Sequence, residues 1–105
     1  MATGRLAAQD LTAATLTTAY TTPADTYAVI SVSICNRGTS TSLISLALAD
    51  ADTPTAGEYI EFETSLLAKN ILERTGIVLG AGQKLVVRSS LANVNIVAVG
   101  IETPA

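Results

Sequence analysis

The heptapeptide Ala-Val-Ile-Ser-Val-Ser-Ile at residues 28–34 decides the fold class. Every second residue in it is apolar, and the apolar series runs Ala28, Ile30, Val32 and Ile34. Because successive side chains of a β-strand point to opposite faces, this period of two predicts a strand with one buried face. We expect Thr26–Cys35 to be the best-defined strand of the protein.

Shorter segments with the same alternation lie before and after this strand. The expected strands are Thr15–Tyr20, Thr41–Ala49, Glu58–Thr64, Glu73–Leu79, Lys84–Ser90 and Val94–Ile101. About eight short strands at this spacing predict an all-β, single-domain antiparallel β-sandwich, either immunoglobulin-like or jelly-roll-like. Residues 15–105 would form the sandwich domain, and residues 1–14 an N-terminal arm or edge strand.

Two connections are expected to be hairpin loops. Asn36–Ser40 contains a glycine, which accepts the positive φ of a tight turn, and it would place Arg37 at a hairpin tip. Ser65–Leu72 is compatible with a helical turn or with a hairpin centred on Lys69 and Asn70, and we favour the hairpin.

The composition indicates a surface covered by neighbouring molecules. Charged residues make up 14% of the 105 residues, against a usual share of about 25%. Thr and Ser supply much of the polar surface instead, and charge is what keeps soluble monomers apart. We therefore expect a homo-oligomer or a component of a larger assembly.

Charge and hydropathy patterns exclude two classes of partner. The six basic residues are scattered and the net charge is −3, so no nucleic-acid footprint is predicted. No apolar run reaches the ~18 residues that span a bilayer, and the first residues lack a signal-peptide core. We expect a protein made in a cytoplasm, with no membrane partner.

The residue types present favour a non-enzymatic protein. The chain has no histidine, so Ser–His–Asp and Cys–His sites are impossible, and its single cysteine, Cys35, forms no internal disulfide. Asp50 and Asp52 are interpreted as a solvated turn rather than a cation site. We expect no catalytic, cofactor-binding or metal-binding residues.

The segment Glu58–Thr64 has its own alternation. It predicts that Ile60 and Phe62 point inward, whereas Tyr59, Glu61 and Glu63 point outward as solvated side chains. A further expectation is a structural ion pair of Arg74, either with a neighbour of Glu73 or with Glu61 across strands.

Three segments together resemble a known family. They are residues 22–30 leading into 34–38, residues 52–61, and residues 72–79 with the closing Val-Gly-Ile-Glu at 99–102. The chain resembles the small virion structural proteins of tailed bacteriophages, especially those of cyanobacterial and marine phages. The resemblance implies a β-sandwich-like particle component located in the virion, with the major capsid protein or other virion proteins as partners.

Capsid decoration is the first function that the resemblance implies, and a tail, neck, baseplate or fibre-attachment role is the alternative. The last strand supports an interface, because it is apolar on both faces: Val94, Ile96 and Ala98 on one, Val97, Val99 and Ile101 on the other. The candidate interface residues are Thr3, Arg5, Leu6, Arg37, Val97, Val99 and Ile101.

A carbohydrate-binding β-sandwich is the remaining alternative. Sugar sites usually stack the sugar on exposed aromatic rings. The only aromatic residues are Tyr20, Tyr27, Tyr59 and Phe62.

Overall fold

Eight β-strands and one short 3-10 helix form the structure in the computed structural model, which describes residues 2–105. The elements are β1 (Thr3–Asp10), β2 (Thr17–Thr21), β3 (Thr26–Asn36), β4 (Ser42–Ala49), η1 (Ala56–Glu58), β5 (Tyr59–Leu66), β6 (Ile71–Leu79), β7 (Lys84–Ser89) and β8 (Val94–Pro104). The predicted fold class is confirmed: the protein is an all-β antiparallel sandwich.

The strands form two four-stranded sheets with the orders β1-β8-β3-β6 and β2-β7-β4-β5. Every pairing is antiparallel, and the pairs β1–β8, β2–β7, β3–β6 and β4–β5 are nested one inside the next. This nesting is the strand order of a jelly roll, in which a long folded ribbon wraps into two sheets. Between the two alternatives that the alternation left open, the strand order selects the jelly roll.

The core lies between the two sheets, and β3 supplies its centre as predicted. The four alternating residues of β3 are at most 2% exposed. Facing them across the gap are residues of β4 and β7, among them Ile44, Leu46, Leu85 and Val87, which are completely buried. Burial of such side chains stabilises by about 1.5–3 kcal/mol each, so this layer carries most of the favourable free energy of folding.

The predicted hairpins at Asn36–Ser40 and Ser65–Leu72 are wrong as hairpins. Both places are tight connections, but β3 and β4 lie in different sheets, and so do β5 and β6. Each connection therefore crosses the end of the sandwich. Turn chemistry predicts that a chain reverses, whereas the choice between pairing in one sheet and crossing to the other depends on the remaining strands.

The predicted inward orientation of Phe62 is also wrong. Two residues of β5, Phe62 and Glu63, lie opposite Ser45 of β4, and Glu63 has a φ of 49°. The extra residue of this bulge rotates Phe62 outward, where it is 64% exposed. Ile60 still packs against the core as expected.

Glu61 also points inward, against the prediction, because a second register shift between Leu46 and Ala47 leaves Ile60 as an additional residue of β5. Glu61 lies opposite the buried Leu46, and its side chain is only 15% exposed. Its Oε2 atom is 3.0 Å from Nη1 of Arg74 on β6, which confirms the expected ion pair. Since β5 and β6 are edge strands of different sheets, this pair joins the two sheets along one open side of the sandwich.

Candidate interaction surface

The outer face of the β1–β8–β3–β6 sheet carries a row of residues that is apolar on β8, β3 and β6. The pairing registers align Thr3, Ile101, Val29 and Val78 side by side across all four strands. Ile101 is 47%, Val29 37% and Val78 57% exposed. We call this outer face the exposed face.

Two further rows of the exposed face follow along the strands. The first places Arg5 beside Val99 and Ser31, and the second runs Ala8, Val97, Ser33 and Glu73. Tyr27 and Ile71, at opposite ends of the face, are 38% and 57% exposed. Scattered apolar residues are ordinary on protein surfaces, whereas a contiguous set on β8, β3 and β6 is typical of interaction surfaces.

Part of the outer face of the other sheet is covered by the protein itself, whereas Leu43 and Phe62 on the same face remain exposed. Ala47 of β4 and Val86 of β7 point away from the core, yet neither is more than 1% exposed. The connection between β4 and β5 lies over them, since Oδ1 of Asp52 accepts a hydrogen bond of 2.6 Å from Thr18 on the far strand β2. Nζ of Lys84 lies 3.7 Å from the same Asp52 oxygen. The exposed face has no comparable cover among the described residues.

Five of the seven candidate interface residues share the exposed face. Thr3 and Arg5 stand on β1, and the other three, Val97, Val99 and Ile101, stand on β8 directly beside them. The agreement has a simple cause: β8 alternates along its length, and β1 is paired with it in register.

Leu6 does not belong to this surface. The register of β1 against β8 shifts between Arg5 and Ala7, so Leu6 is the additional residue of a bulge. Its side chain turns inward and packs against the core. Alternation from the outward Arg5 already places Leu6 inward, and the bulge instead turns Ala7 to the core side as well.

Arg37 lies at one end of the exposed face and is held there by two contacts. Its guanidinium forms an ion pair with Asp10 of β1, and its backbone carbonyl accepts a hydrogen bond of 2.8 Å from Nζ of Lys69. Arg37 is therefore part of the structure of this end rather than a free hairpin tip.

Sequence reasoning did not single out Val29, Val78 or Tyr27, although all three contribute to the exposed face. A signal for Val29 was present: in the alternating segment 26–36 the outward positions include an apolar β-branched residue. Val78 had no such signal, because its position beside Val29 depends on the pairing of β6 with β3.

The exposed face is nearly neutral. Arg5 and Glu73 are its two charges without a salt-bridge partner among residues 2–105, and Asp10 is paired with Arg37. Arg5 stands on β1 and Glu73 on β6, which are the two edge strands of the sheet.

Glu102, next to Ile101 on β8, fastens this sheet to β2 of the other. Its Oε2 atom accepts a hydrogen bond of 2.5 Å from the hydroxyl of Tyr20. This bond lowers the pKa of Glu102, and a backbone N–H from Ala2 lowers it further. Burial of the phenol, together with the bond to Glu102, raises the pKa of Tyr20.

Two other carboxylates have a lowered pKa, both in the connection that covers the second sheet. The hydrogen bond from Thr18 lowers the pKa of Asp52, and the charge of Lys84 adds to it. The backbone N–H of Thr55 lowers the pKa of Glu58. The three lowered carboxylate pKa values come mainly from structural hydrogen bonds in loops and at strand ends.

Within residues 2–105, no group of three or more His, Cys, Asp or Glu side chains is arranged to hold a metal ion. Cys35 is half-buried on the exposed face. None of the helical segments in that part of the chain has the length and apolarity to cross a membrane.

Comparison with known proteins assigns no family. Neither a protein-family model nor a curated protein matches the sequence.

Proposed function

We propose that the protein is a non-enzymatic structural component of a tailed-bacteriophage virion, and that it decorates the capsid. The observation that carries the proposal is the exposed face, an apolar surface without cover among residues 2–105, whereas the protein's own connection covers part of the other outer face. The resemblance to phage virion proteins supports the assignment to a particle. The jelly-roll order agrees with it, since viral capsid domains use this architecture, although a fold alone does not define a function.

The proposed mechanism is stabilisation by repeated contacts. Apolar area removed from water contributes about 25 cal/mol per Å², so each copy that covers its exposed face adds a small favourable term. Many copies bound to one shell add these terms together, and the shell resists opening because all of them must be lost. No reactive side chain is needed for this role.

The test uses particles of the encoding phage with and without the protein. Loss of the protein should lower the temperature at which the genome is released, and addition of the purified protein should restore it. Val99→Glu places a charge in the middle of the exposed face and should abolish this restoration. Thr39→Glu, in an exposed connection, is the matched control and should restore the release temperature fully. An unchanged release temperature without the protein would refute capsid decoration.

Copy number separates the head from the tail. A decoration protein is present in hundreds of copies per particle, whereas a ring or fibre component follows the lower symmetry of the tail, with roughly 3 to 18 copies. Quantitative mass spectrometry of purified virions measures this number directly. A copy number in the lower range would instead assign the protein to the tail, neck, baseplate or fibre.

Carbohydrate binding is a second candidate because of one aromatic pair. Tyr59 and Phe62 lie edge to face with ring centroids 5.0 Å apart, and Phe62 is the most exposed large apolar side chain among the described residues. Exposed rings of this kind stack on sugar rings. A glycan array on which the protein binds no sugar would remove this candidate, and a positive signal should disappear in Phe62→Ala.

A further inference from the structure

We infer that the partner of the exposed face is the exposed face of a second copy of this chain, packed about a twofold axis that runs along the strands. This inference rests on the proposed function and deepens it: on the shell the exposed face of each copy would be covered by a second copy, so this contact joins decoration subunits to one another.

The two unpaired charges lie at opposite edges of the face. Arg5 on β1 and Glu73 on β6 are separated by β8 and β3, which at about 4.8 Å per strand places them about 14 Å apart across the sheet. Along the strands they lie in adjacent rows, two residues or about 7 Å apart. They cannot neutralise each other within one molecule.

A twofold axis parallel to the strands brings them together. It places β1 of one copy over β6 of the other, so each Arg5 faces the opposite edge strand one row from Glu73 of the second copy. A twofold axis perpendicular to the strands instead places β1 of one copy over β1 of the other, and β6 over β6. In that arrangement both Arg5 and Glu73 stay unpaired. Because the same surface of both copies forms the interface, the contact between Arg5 and Glu73 occurs twice.

The same axis matches the apolar rows. It places β8 of one copy over β3 of the other, and Ile101 and Val29 already lie side by side in one row. Ile101 therefore meets Val29 of the second copy, and Val99 meets Ser31. The serines leave room for the branched side chains above them.

The area suits a weak dimer. Four strands at about 4.8 Å spacing, with central strands of 11 residues, give a face of roughly 600 Å². A standard interface covers about 800 Å² per partner, so this one falls toward the weaker end. A concentration-dependent equilibrium between monomer and dimer is the expected behaviour.

The experiment is sedimentation equilibrium of the purified chain with a charge exchange. Arg5→Glu sets two carboxylates against each other, Glu73→Arg sets two guanidinium groups against each other, and each should weaken dimerisation roughly tenfold. The double variant restores opposite charges across the axis and should recover the wild-type affinity. Arg88→Glu, on the outer side of the other sheet, is the matched control and should have no effect. Circular dichroism verifies that each variant is folded.

Several results would overturn the inference. They are a wild-type chain that stays monomeric at every concentration, a dimer that both single variants leave unchanged, and a dimer that the double variant fails to rescue. The proposed function fails separately. A monomeric chain whose Val99→Glu variant no longer binds particles keeps the proposed function and loses this inference. A chain that dimerises as expected but leaves the genome release temperature unchanged keeps the inference and loses capsid decoration.

Discussion

Asn36 ties together the connections at one end of the sandwich, and its replacement by alanine is expected to cost a large part of the protein's stability. The side chain is 1% exposed and makes three hydrogen bonds. Its Nδ2 donates to the carbonyl oxygens of Ser40 at 2.9 Å and Leu66 at 3.0 Å, and its Oδ1 accepts from the N–H of Gly38 at 2.9 Å. These partners belong to the connection that follows β3 and to the end of β5.

The magnitude follows from these three bonds. Each hydrogen bond contributes about 1 kcal/mol net, and a buried backbone group left without a partner costs about 1–3 kcal/mol. The Leu66 carbonyl bonds Asn36 in a buried site, so the Asn36→Ala variant should lose about 3 kcal/mol. For a domain of this size 1 kcal/mol moves the melting temperature by about 4–8 °C, so we expect a fall of about 15 °C.

The assay is urea unfolding followed by far-ultraviolet circular dichroism. The slope against urea should stay constant while the midpoint falls, because the surface exposed on unfolding is unchanged. Asn70→Ala removes the same amide from an exposed residue at the same end of the molecule and is the matched control, with an expected loss within about 0.5 kcal/mol. Equal losses for the two variants, or a loss below about 1 kcal/mol for Asn36→Ala, would refute the reasoning.

Three further predictions concern other parts of the fold. Gly100→Ala should destabilise by about 1–3 kcal/mol or more in the same urea assay, because a Cβ there would lie 2.1 Å from the carbonyl oxygen of Val29; wild-type stability would contradict this. Glu102→Gln should flatten the acid limb of the curve of unfolding free energy against pH. Because the folded-state pKa of Glu102 is lowered, the stability it contributes is present above its unfolded pKa of about 4.5 and is lost as the pH falls through the folded-state pKa. A variant with an unchanged acid limb would disprove the role of the hydrogen bond from Tyr20. Asp52→Ala should speed proteolytic cleavage in the connection between β4 and β5, because that connection loses its link to β2; mass spectrometry of the fragments locates the cut, and equal cleavage rates would count against the link.

The buried face of β3 could be predicted from the sequence because the alternation of its side chains depends only on neighbouring residues. Side chains at residues 28–34 alternate with no help from distant parts of the chain, and the structure buries the apolar series between the sheets. The same reasoning on β8 identified two apolar faces, of which Ile96 lies in the core and Val99 on the surface. Amino-acid types alone also exclude histidine chemistry.

Local reasoning failed where one extra residue enters a strand. Phe62 stands at a bulge and points to the side opposite from the one that alternation predicted. A strand has a period of two, so the insertion of a single residue reverses every assignment on one side of it. Glu63 has no feature in the sequence that announces its positive φ.

The sequence by itself determined most of the strands, the buried side of β3 and the scarcity of charge. Only the tertiary structure decided that β1, β8, β3 and β6 share a sheet, that the connection after β4 covers the opposite sheet, and that Arg5 and Glu73 stand at opposite edges of the exposed face. The physical reason is the separation along the chain over which each kind of interaction acts. Alternation and turn formation act between neighbours in the chain, whereas strand order results from pairings between distant residues, and the entropy of closing a loop rises too slowly with its length to select among them.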